Sequence, residues 1–439
     1  ATEADLHSLI DERAVSRTQW LTLFICFLLQ TIDGFDVLAM AFAAPALAED
    51  WSLSADRLGI VFSAGVLGMT LGAMFLAPLT DKFGRRTIIF CAVLVMGFSM
   101  LATAWAANLS VMVVLRVITG LAIGAMMASL TSLVSEFFPD AMRNMAVGIL
   151  LSGYPLGAMI GGFIAAPIIP QYGWEGVFVC GGIMTLAMVP LVLMWVPESL
   201  HFLLRRRPSG ALMKVNKVLR RLGSELLSEL PRADAEPEPA HVSSLLTDAR
   251  RKSTLQLWSS FFLCFGTLYF LLSWIPKLLV DSGLPLSQAI YAGIAFNIGG
   301  ALGNIAIGWT STRLGLQKTI LYFHVVAALG MILFAFLPLG IAALLFLTTV
   351  IGLFQQGGFV GFYMVAARLY PADIRTTGVG WGIGLGRFGA VIAPYLAGLL
   401  IASGWGVEAL FTAFSLPLLI GGWVAYSIRS DALAADTST

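Results

Sequence analysis

Long runs of apolar residues separated by short polar segments make up most of the 439-residue chain. A transmembrane helix needs about 20 consecutive apolar residues, and counting the runs on that basis predicts twelve spans. The predicted spans are residues 20–47, 57–79, 87–107, 110–136, 145–169, 174–196, 255–280, 287–311, 318–339, 341–367, 376–402 and 406–428. One polar segment is far longer than the others and divides the spans into two sets of six. The pattern therefore predicts an all-α integral membrane protein with twelve transmembrane helices in two six-helix bundles.

The long polar segment, residues 197–254, changes character along its length. Its first part is rich in Lys and Arg and predicts an amphipathic helix on the membrane surface. The remainder is acidic and proline-rich, which is typical of a flexible linker. The predicted organisation is a tail at 1–19, a bundle at 20–196, a central loop at 197–254, a bundle at 255–428 and a tail at 429–439.

Positive charge predicts the orientation of the spans. Arg57 and Lys277 lie at span ends and are counted with the loops of one side, and Arg116 and Arg387 lie in the interior of spans. Every other one of the 26 Lys and Arg residues lies in a terminus, in the loops of the opposite side or, for Lys318, at a span end on that side. Because cytoplasmic loops are enriched in Lys and Arg, both termini and the central loop are predicted to be cytoplasmic.

Composition narrows the possible functions. Hydrophobic residues are 58% of the chain and charged residues are 12%, about half the share found in soluble proteins. The net charge of +1 offers nothing to attract a nucleic acid. The four cysteines lie in apolar runs without motif spacing, which predicts neither a disulfide framework nor a metal site. No nucleophile or nucleotide motif stands out, so we expect neither an enzyme nor a bound cofactor.

Two carboxylates, Asp33 and Asp36, lie inside the first apolar run, in the sequence T-I-D-G-F-D. An acidic side chain in hydrocarbon costs roughly 2.5 kcal/mol or more, and it persists where it faces a bundle interior or a wet cavity. Their spacing places both on one helix face, and Gly34 between them is expected to loosen the backbone. Such a pair can hold and release one proton, which indicates the coupling element of a transporter. The alternative is a structural polar pair between helices.

The two sets of spans repeat each other. F-P-D-A-M-R at 138–143 corresponds to Y-P-A-D-I-R at 370–375, and D-K-F-G-R-R at 81–86 has a weaker echo, T-R-L-G-L-Q-K, at 312–318. A repeated half with a long connection predicts two pseudo-symmetric bundles that rock about a site between them, which is the alternating-access mechanism of transport.

Several motifs resemble those of the major facilitator superfamily. The sequence A-P-L-T-D-K-F-G-R-R at 77–86 resembles its signature G-x-L-a-D-R-x-G-R-R/K, with Ala77 in place of the first glycine. Arg116, followed by two glycines, resembles the fourth-span motif, and P-E-S-L-H-F-L at 197–203 is similar to a motif shared with sugar porters. The resemblance implies the major facilitator fold.

A narrower resemblance is to the aromatic acid:proton symporter family. The pattern D-G-F-D-x8-P-x5-W, from Asp33 to Trp51, resembles its first-span signature, and the sequence from Tyr370 to Gly389 fits the same family. The resemblance implies a proton-coupled importer of small aromatic carboxylates such as hydroxybenzoates, in a bacterial inner membrane and monomeric. Its partners would be the carboxylate, protons and the lipid bilayer. The alternatives are a carrier of another organic acid, sugar or drug, and a non-transporting membrane sensor.

Three further residues within spans are candidates for chemistry. Arg116 is implied to act in proton relay or as a carboxylate partner, and the alternative is a permanent ion pair with Asp33 or Asp36. Arg387 is predicted to bind the substrate carboxylate or to act in gating, because a guanidinium binds carboxylates in bidentate fashion. For His324 the resemblance implies a role in coupling or in substrate binding, and a histidine is a plausible proton acceptor. The alternative is a satisfied core histidine.

The remaining predictions concern the substrate lining and a gate. A ring with a carboxylate needs apolar walls and few polar anchors. Residues predicted to line that site, each with simple packing as the alternative, are Phe35, Tyr154, Gln355, Gln356, Tyr363 and Trp381. Residues predicted to form a cytoplasmic gate are Asp81, Arg85, Arg86, Glu136, Arg368 and Arg375. For the basic gate residues the alternative is orientation of the spans by their charge.

Overall fold

The long apolar runs fold as helices in the structure, a computed structural model that describes residues 15–223, 226–230, 242–247, 250–370 and 372–428. The helices are α1 (Arg17–Asp50), α2 (Ala55–Leu71), α3 (Thr80–Phe83), α4 (Arg85–Ala104), α5 (Leu109–Phe137), α6 (Asp140–Trp195), α7 (Leu200–Arg206), α8 (Ala211–Leu222), α9 (Arg251–Asp281), α10 (Leu286–Leu314), α11 (Leu316–Phe336), α12 (Ile341–Leu369), α13 (Ala372–Ala402) and α14 (Val407–Tyr426). No strand occurs within those ranges.

Eleven helices in the described part of the chain are long and apolar enough to cross a membrane. One of them, α6, contains two predicted spans, 145–169 and 174–196. It breaks at Gly173, whose φ of 71° and ψ of 179° are not helical and suit a residue without a Cβ. The all-helical, multi-pass fold is therefore confirmed, with α6 accounting for the twelfth span.

The central loop begins as predicted, with the short helices α7 and α8. On α8, apolar and basic residues alternate with helical spacing, so that Val215, Val218 and Leu219 are buried while Lys214 and Lys217 are exposed. The acidic, proline-rich stretch at 231–241 and most of the two predicted tails lie outside the described residues.

The second predicted span changes helix type along its length. After α2 the chain is π-helical at Gly72–Leu76 and 3-10 helical at Ala77–Leu79, and it then continues into α3. Gly84 follows with φ 91° and ψ 148°, and in the weaker echo of this motif Gly315 has φ 83° and ψ 144°. The two halves thus share one backbone turn, although most of the charged residues around it differ.

Residue contacts divide the chain into two compact units. Unit 1 comprises Ala1–Asp36, Gly68–Gly157 and Phe178–Pro237, and unit 2 comprises Val37–Leu67, Ala158–Val177 and Glu238–Thr439. The division cuts α1, α2 and α6. The proposed bundles at 20–196 and 255–428 remain a prediction from the sequence.

In unit 1, α1 and α6 approach closely through glycines. A Cβ on Gly34 would overlap the backbone carbonyl of Tyr154, and a Cβ on Gly157 would overlap that of Thr31. Helix α1 runs without interruption through Gly34. The expectation that Gly34 loosens the backbone is therefore wrong, because the glycine serves close helix packing.

In unit 2, aromatic residues join the second half of α1 and the first half of α2 to their neighbours. The rings of Trp51 and Trp174 meet edge to face at 5.6 Å, and those of Phe62 and Trp274 do so at 5.2 Å. The indole of Trp174 donates a hydrogen bond of 3.1 Å to Asp50. Trp51, the last residue of the first-span signature, is thus a packing residue at the end of α1.

Candidate functional site

The two acidic residues of α1 lie in the core of unit 1. Asp33 is 0% exposed and Asp36 is 2% exposed. Asp36 faces Arg116 of α5, with 3.4 Å between its Oδ1 and the arginine Nη1, and Arg116 is itself 4% exposed. The structure therefore brings together two of the predicted coupling residues as a buried ion pair, and it places Asp36 rather than Asp33 against the arginine.

Arg116 is held by several groups besides Asp36. Its Nη2 donates to the hydroxyl oxygens of Thr103 at 2.9 Å and Thr119 at 3.4 Å. Its guanidinium carbon lies 4.9 Å from the centre of the Phe178 ring, a cation–π geometry. The desolvation penalty of a buried ion pair can be as large as the Coulombic attraction between its charges. The hydrogen bonds and the aromatic face offset part of that penalty.

Asp33 has different surroundings from Asp36. Among the described residues, neither of its carboxyl oxygens has a hydrogen-bond partner. Gln30, one turn earlier on α1 and 1% exposed, also has no partner there for its amide oxygen or nitrogen. Gln30 was not among the predicted site residues, although the spacing of 30, 33 and 36 marks one polar stripe on an apolar helix.

The aromatic candidates of unit 1 are closely packed. Phe35 is 1% exposed and its ring packs against Gly181 of α6. Tyr154 is half-buried and presents its backbone carbonyl to Gly34. These contacts favour packing as the role of Phe35. The residue nevertheless lies next to Asp36 on α1.

In unit 2, Arg387 of α13 interacts electrostatically with the hydroxyl of Tyr363 in α12. It is half-buried, and within the described ranges it forms no ion pair. Tyr269 of α9 also interacts with the Tyr363 hydroxyl, and its ring lies 6.1 Å from that of Phe265. Tyr269 was not among the predicted residues, because nothing in the sequence of α9 distinguishes it from a packing tyrosine.

Aromatic rings surround this group. Tyr363 lies 5.3 Å from the ring of Phe261 and 5.7 Å from that of Phe359, and Phe359 lies 4.4 Å from Phe265. The angles between ring planes of 68–81° are edge-to-face geometries, which are favourable for aromatic pairs. Unit 2 thus combines two phenols, an aromatic wall and a guanidinium that has no carboxylate partner among the described residues.

The side chains of His324 and Gln355, two other candidates of unit 2, contact neighbouring residues of the protein. The ring of His324 is stacked on Phe362 at 5.1 Å, and its Nδ1 lies 2.8 Å from the carbonyl oxygen of Ile320, whereas its Nε2 has no partner within the described residues. The amide of Gln355 reaches the carbonyl of Cys264 at 3.5 Å.

Gln356 and Trp381 are likewise engaged by neighbouring helices. The amide of Gln356 reaches the carbonyl of Phe296 at 3.4 Å. Trp381, which is 43% exposed, stacks on Trp258 at 6.2 Å. Both contacts fit helix packing, which was the alternative for each residue.

The predicted gate residues of unit 1 form a linked cluster. Arg85 pairs with Glu136, and Glu136 accepts a hydrogen bond of 2.6 Å from the hydroxyl of Ser199. Glu198 accepts from the backbone N–H groups of Arg86 at 3.1 Å and Ser199 at 3.0 Å. Burial raises the pKa of the Glu198 carboxyl, and these two N–H groups act in the opposite direction.

Glu198 and Ser199 come from the P-E-S motif and were not predicted as gate residues. Of the remaining gate candidates, Asp81 interacts electrostatically with Arg85 of this cluster. The backbone carbonyl of Asp81 accepts a hydrogen bond of 2.9 Å from Arg206. In unit 2, Arg375 donates to the carbonyl of Tyr370 at 3.1 Å, and Arg368 is exposed.

Comparison with known proteins assigns the chain to a family. The model of the Major Facilitator Superfamily matches residues 23–345. The 4-hydroxybenzoate transporter PcaK of Pseudomonas putida is 36% identical, with 94% of this chain and 93% of that protein covered. The gallate transporter of Pseudomonas putida is 35% identical, with 94% and 92% covered.

A solved structure supports the fold. The crystal structure of a bacterial homologue of the human lysosomal transporter Spinster, in an inward-facing and unoccupied conformation, matches with a TM-score of 0.70 and 15% identity. The match covers 96% of both chains. The chain therefore belongs to the Major Facilitator Superfamily, and these curated relatives are transporters of aromatic acids rather than enzymes.

Proposed function

We propose that this protein is a proton-coupled secondary transporter that imports small aromatic carboxylates of the hydroxybenzoate type by alternating access. The observation that carries the proposal is the unequal environment of the two acids on α1. Asp36 is compensated by Arg116, whereas Asp33 is buried with no partner in the described residues. The curated relatives, a 4-hydroxybenzoate transporter and a gallate transporter, support an aromatic acid as cargo.

Asp33 carries the proton in this proposal. Ionising it would create a buried charge without a partner, which is costly. A bound proton removes that cost, and exposure of the site to water on the other side of the membrane allows the proton to leave. Asp36 and Arg116 keep their mutual compensation and supply the fixed charges beside the carrier.

Arg387 binds the carboxylate of the cargo. Its guanidinium has no carboxylate partner among the described residues and is available for a bidentate pair with an anion. Tyr363 and its neighbour Tyr269 supply hydroxyl groups, and Phe359 and Phe265 supply apolar rings against which an aromatic ligand packs.

The proposed energetics follow from charge. One proton carried with a monoanion is electroneutral, so the pH difference alone drives uptake. Each additional proton would draw on the membrane potential, worth about 2.3 kcal/mol per charge at 100 mV. The two bundles rock about the site in the manner of transporters built from repeated halves.

Location and gating complete the proposal. The positive charge of the loops supports both termini in the cytoplasm, and the Pseudomonas putida relatives support a bacterial inner membrane. We propose that the protein acts there as a monomer. The cluster around Arg85 and Glu136 supports a gate on that side, with Asp81, Arg86, Arg368 and Arg375 as its further members.

The test uses the full chain in proteoliposomes with an acidic exterior and labelled 4-hydroxybenzoate. Asp33→Asn mimics a permanently protonated carrier, so accumulation should be lost while exchange of labelled for unlabelled substrate is retained. Asp33→Glu is the matched control and should still accumulate substrate. Accumulation that survives both Asp33→Asn and a protonophore would overturn the coupling. Equal uptake of the uncharged amide would overturn carboxylate recognition.

A further inference from the structure

A cavity of about 620 Å³ lies in unit 1 beside the start of α4, the end of α6 and the helices α7 and α8. Arg86 of α4 and three residues of α8, Lys214, Lys217 and Arg221, contribute positive charge to its lining. Glu198 is the acidic residue of the lining, and it is already occupied by backbone N–H groups. The cavity is therefore strongly cationic.

The basic residues of α8 lie along one side of the helix. Lys214, Lys217 and Arg221 follow at spacings that place them on one face, and all three are exposed. None of them forms an ion pair with another described residue. The Nε of Arg86 is buried and also lacks a hydrogen-bond partner among those residues. The guanidinium of Arg86 also donates to the carbonyl of Leu193, and its charge faces Glu198. The unpaired positive charge of the cavity therefore comes from the three residues of α8, and Arg86 adds a cation on the opposite side.

The other wall of the cavity is apolar and continues into an exposed apolar surface. Phe90 and Leu193 line the cavity, and Leu193 is 47% exposed. Farther along the same two helices, Phe98 of α4 is 60% exposed and Ile183 of α6 is 59% exposed. In a membrane protein such a surface contacts acyl chains, so the cavity lies where the lipid-facing surface meets the basic central loop.

We propose that this cavity binds the headgroup of an anionic phospholipid, with its acyl chains on the exposed surface of α4 and α6. Basic pockets between transmembrane helices on the cytoplasmic side suit such headgroups. A phosphate diester matches the cluster of cations, and the apolar wall continuous with the lipid-facing surface favours a lipid over a soluble anion. The proposal rests on the predicted orientation and is independent of the cargo.

Lipid binding would also act on the gate cluster. Arg86 lines the cavity through its side chain and donates its backbone N–H to Glu198, which adjoins Ser199 and hence Glu136. A headgroup held between Arg86 and α8 would fasten the central loop to the ends of α4 and α6. We therefore expect the bound lipid to stabilise unit 1.

The experiment is native mass spectrometry and thermal unfolding of the full chain in detergent, with phosphatidylglycerol or phosphatidylcholine of identical acyl chains. The wild type should retain phosphatidylglycerol and unfold at a higher temperature in its presence. The triple variant Lys214→Gln, Lys217→Gln, Arg221→Gln should bind it at least about tenfold more weakly. Its unfolding without lipid should resemble that of the wild type, since the three residues are exposed.

A matched control removes the same charge elsewhere. Arg250, Arg251 and Lys252 precede or begin α9 and do not line the cavity. Their replacement by Gln should leave lipid binding unchanged, and an equal loss in this control would show non-specific attraction and overturn the proposal. Equal binding of phosphatidylcholine would overturn it as well. Full competition by inorganic phosphate or glycerol phosphate would assign the cavity to a soluble anion instead.

Discussion

Each half of the sequence has one arginine within a span, and the two arginines have opposite surroundings. Arg116 faces Asp36 and two threonine hydroxyls in the core of unit 1. Arg387 of unit 2 is half-buried, interacts with the hydroxyl of Tyr363 and forms no ion pair within the described residues. An arginine paired with an internal anion is part of the protein's own charge balance, whereas an arginine outside such a pair is available to a ligand.

The largest effect should follow from breaking the internal pair. Arg116→Ala leaves Asp36 buried without its cation, and removing one partner of such a pair costs about 3–5 kcal/mol of unfolding free energy. The double variant Asp36→Ala, Arg116→Ala removes both charges and should recover part of that loss. Thermal unfolding of the purified variants measures both. A double variant no more stable than the single one would show that the pair is not mutually compensating.

A smaller effect, on binding rather than on folding, is expected at the other arginine. Arg387→Ala removes the proposed carboxylate partner, and a hydrogen bond to a charged group contributes about 1.5–3 kcal/mol. Calorimetric binding of 4-hydroxybenzoate should therefore weaken about tenfold to 100-fold, while binding of the uncharged amide should change little. Arg387→Lys should recover part of the affinity. Equal weakening for acid and amide would contradict carboxylate recognition.

Disturbing the close helix packing beside the two acids should lower the free energy of unfolding by a similar or smaller amount. Gly34→Ala places a methyl group against the Tyr154 carbonyl, and overpacking costs about 1–3 kcal/mol. Gly148→Ala on α6 is the control, since nothing lies within 4 Å of its Cβ position. That control should be neutral or stabilising by up to about 1 kcal/mol. Thermal unfolding compares the two, and a neutral Gly34→Ala would refute the close contact.

The smallest effect is expected at the phenols near Arg387. Tyr269→Phe and Tyr363→Phe each remove one hydroxyl, and a neutral hydrogen bond contributes about 0.5–1.5 kcal/mol. Affinity for 4-hydroxybenzoate should fall about twofold to tenfold for each. Stability should be retained because both rings remain in place. If neither variant changes affinity while Arg387→Ala does, the hydroxyls are not ligands and the arginine acts without them.

The fold was largely predictable because its main determinant is local. The length of an apolar run is set by the thickness of the bilayer, so eleven described helices match the predicted spans and α6 covers two of them. The break within α6 was found from the gap between runs, but its geometry at Gly173 was not. The pattern of apolar residues therefore predicts the length of a span well, but it does not predict the backbone dihedral angles at a break.

Site residues were predictable where a charged side chain lies within an apolar run. They were not predictable where the role of a residue depends on which side chain it contacts in the fold. Carboxylates and arginines within apolar runs stand out because they are costly there. Which acid meets Arg116 depends on how α1 and α5 cross, and spacing along α1 does not reveal that. Tyr269 and Gln30 are ordinary residues of their helices in the sequence. Tyr269 becomes a candidate only through its interaction with Tyr363, and Gln30 only through its burial one turn before Asp33.

The glycine contact between α1 and α6 has a mechanical consequence for the acid pair. At Gly34 and Gly157 no side chain separates the two backbones, so neither helix can slide along the other at this level without a steric collision. In the proposed transport cycle we therefore expect Asp33 and Asp36 to move together with α6. Exposure of their carboxyl groups to either aqueous phase would then involve displacement of the helix pair and not only rotation of a side chain.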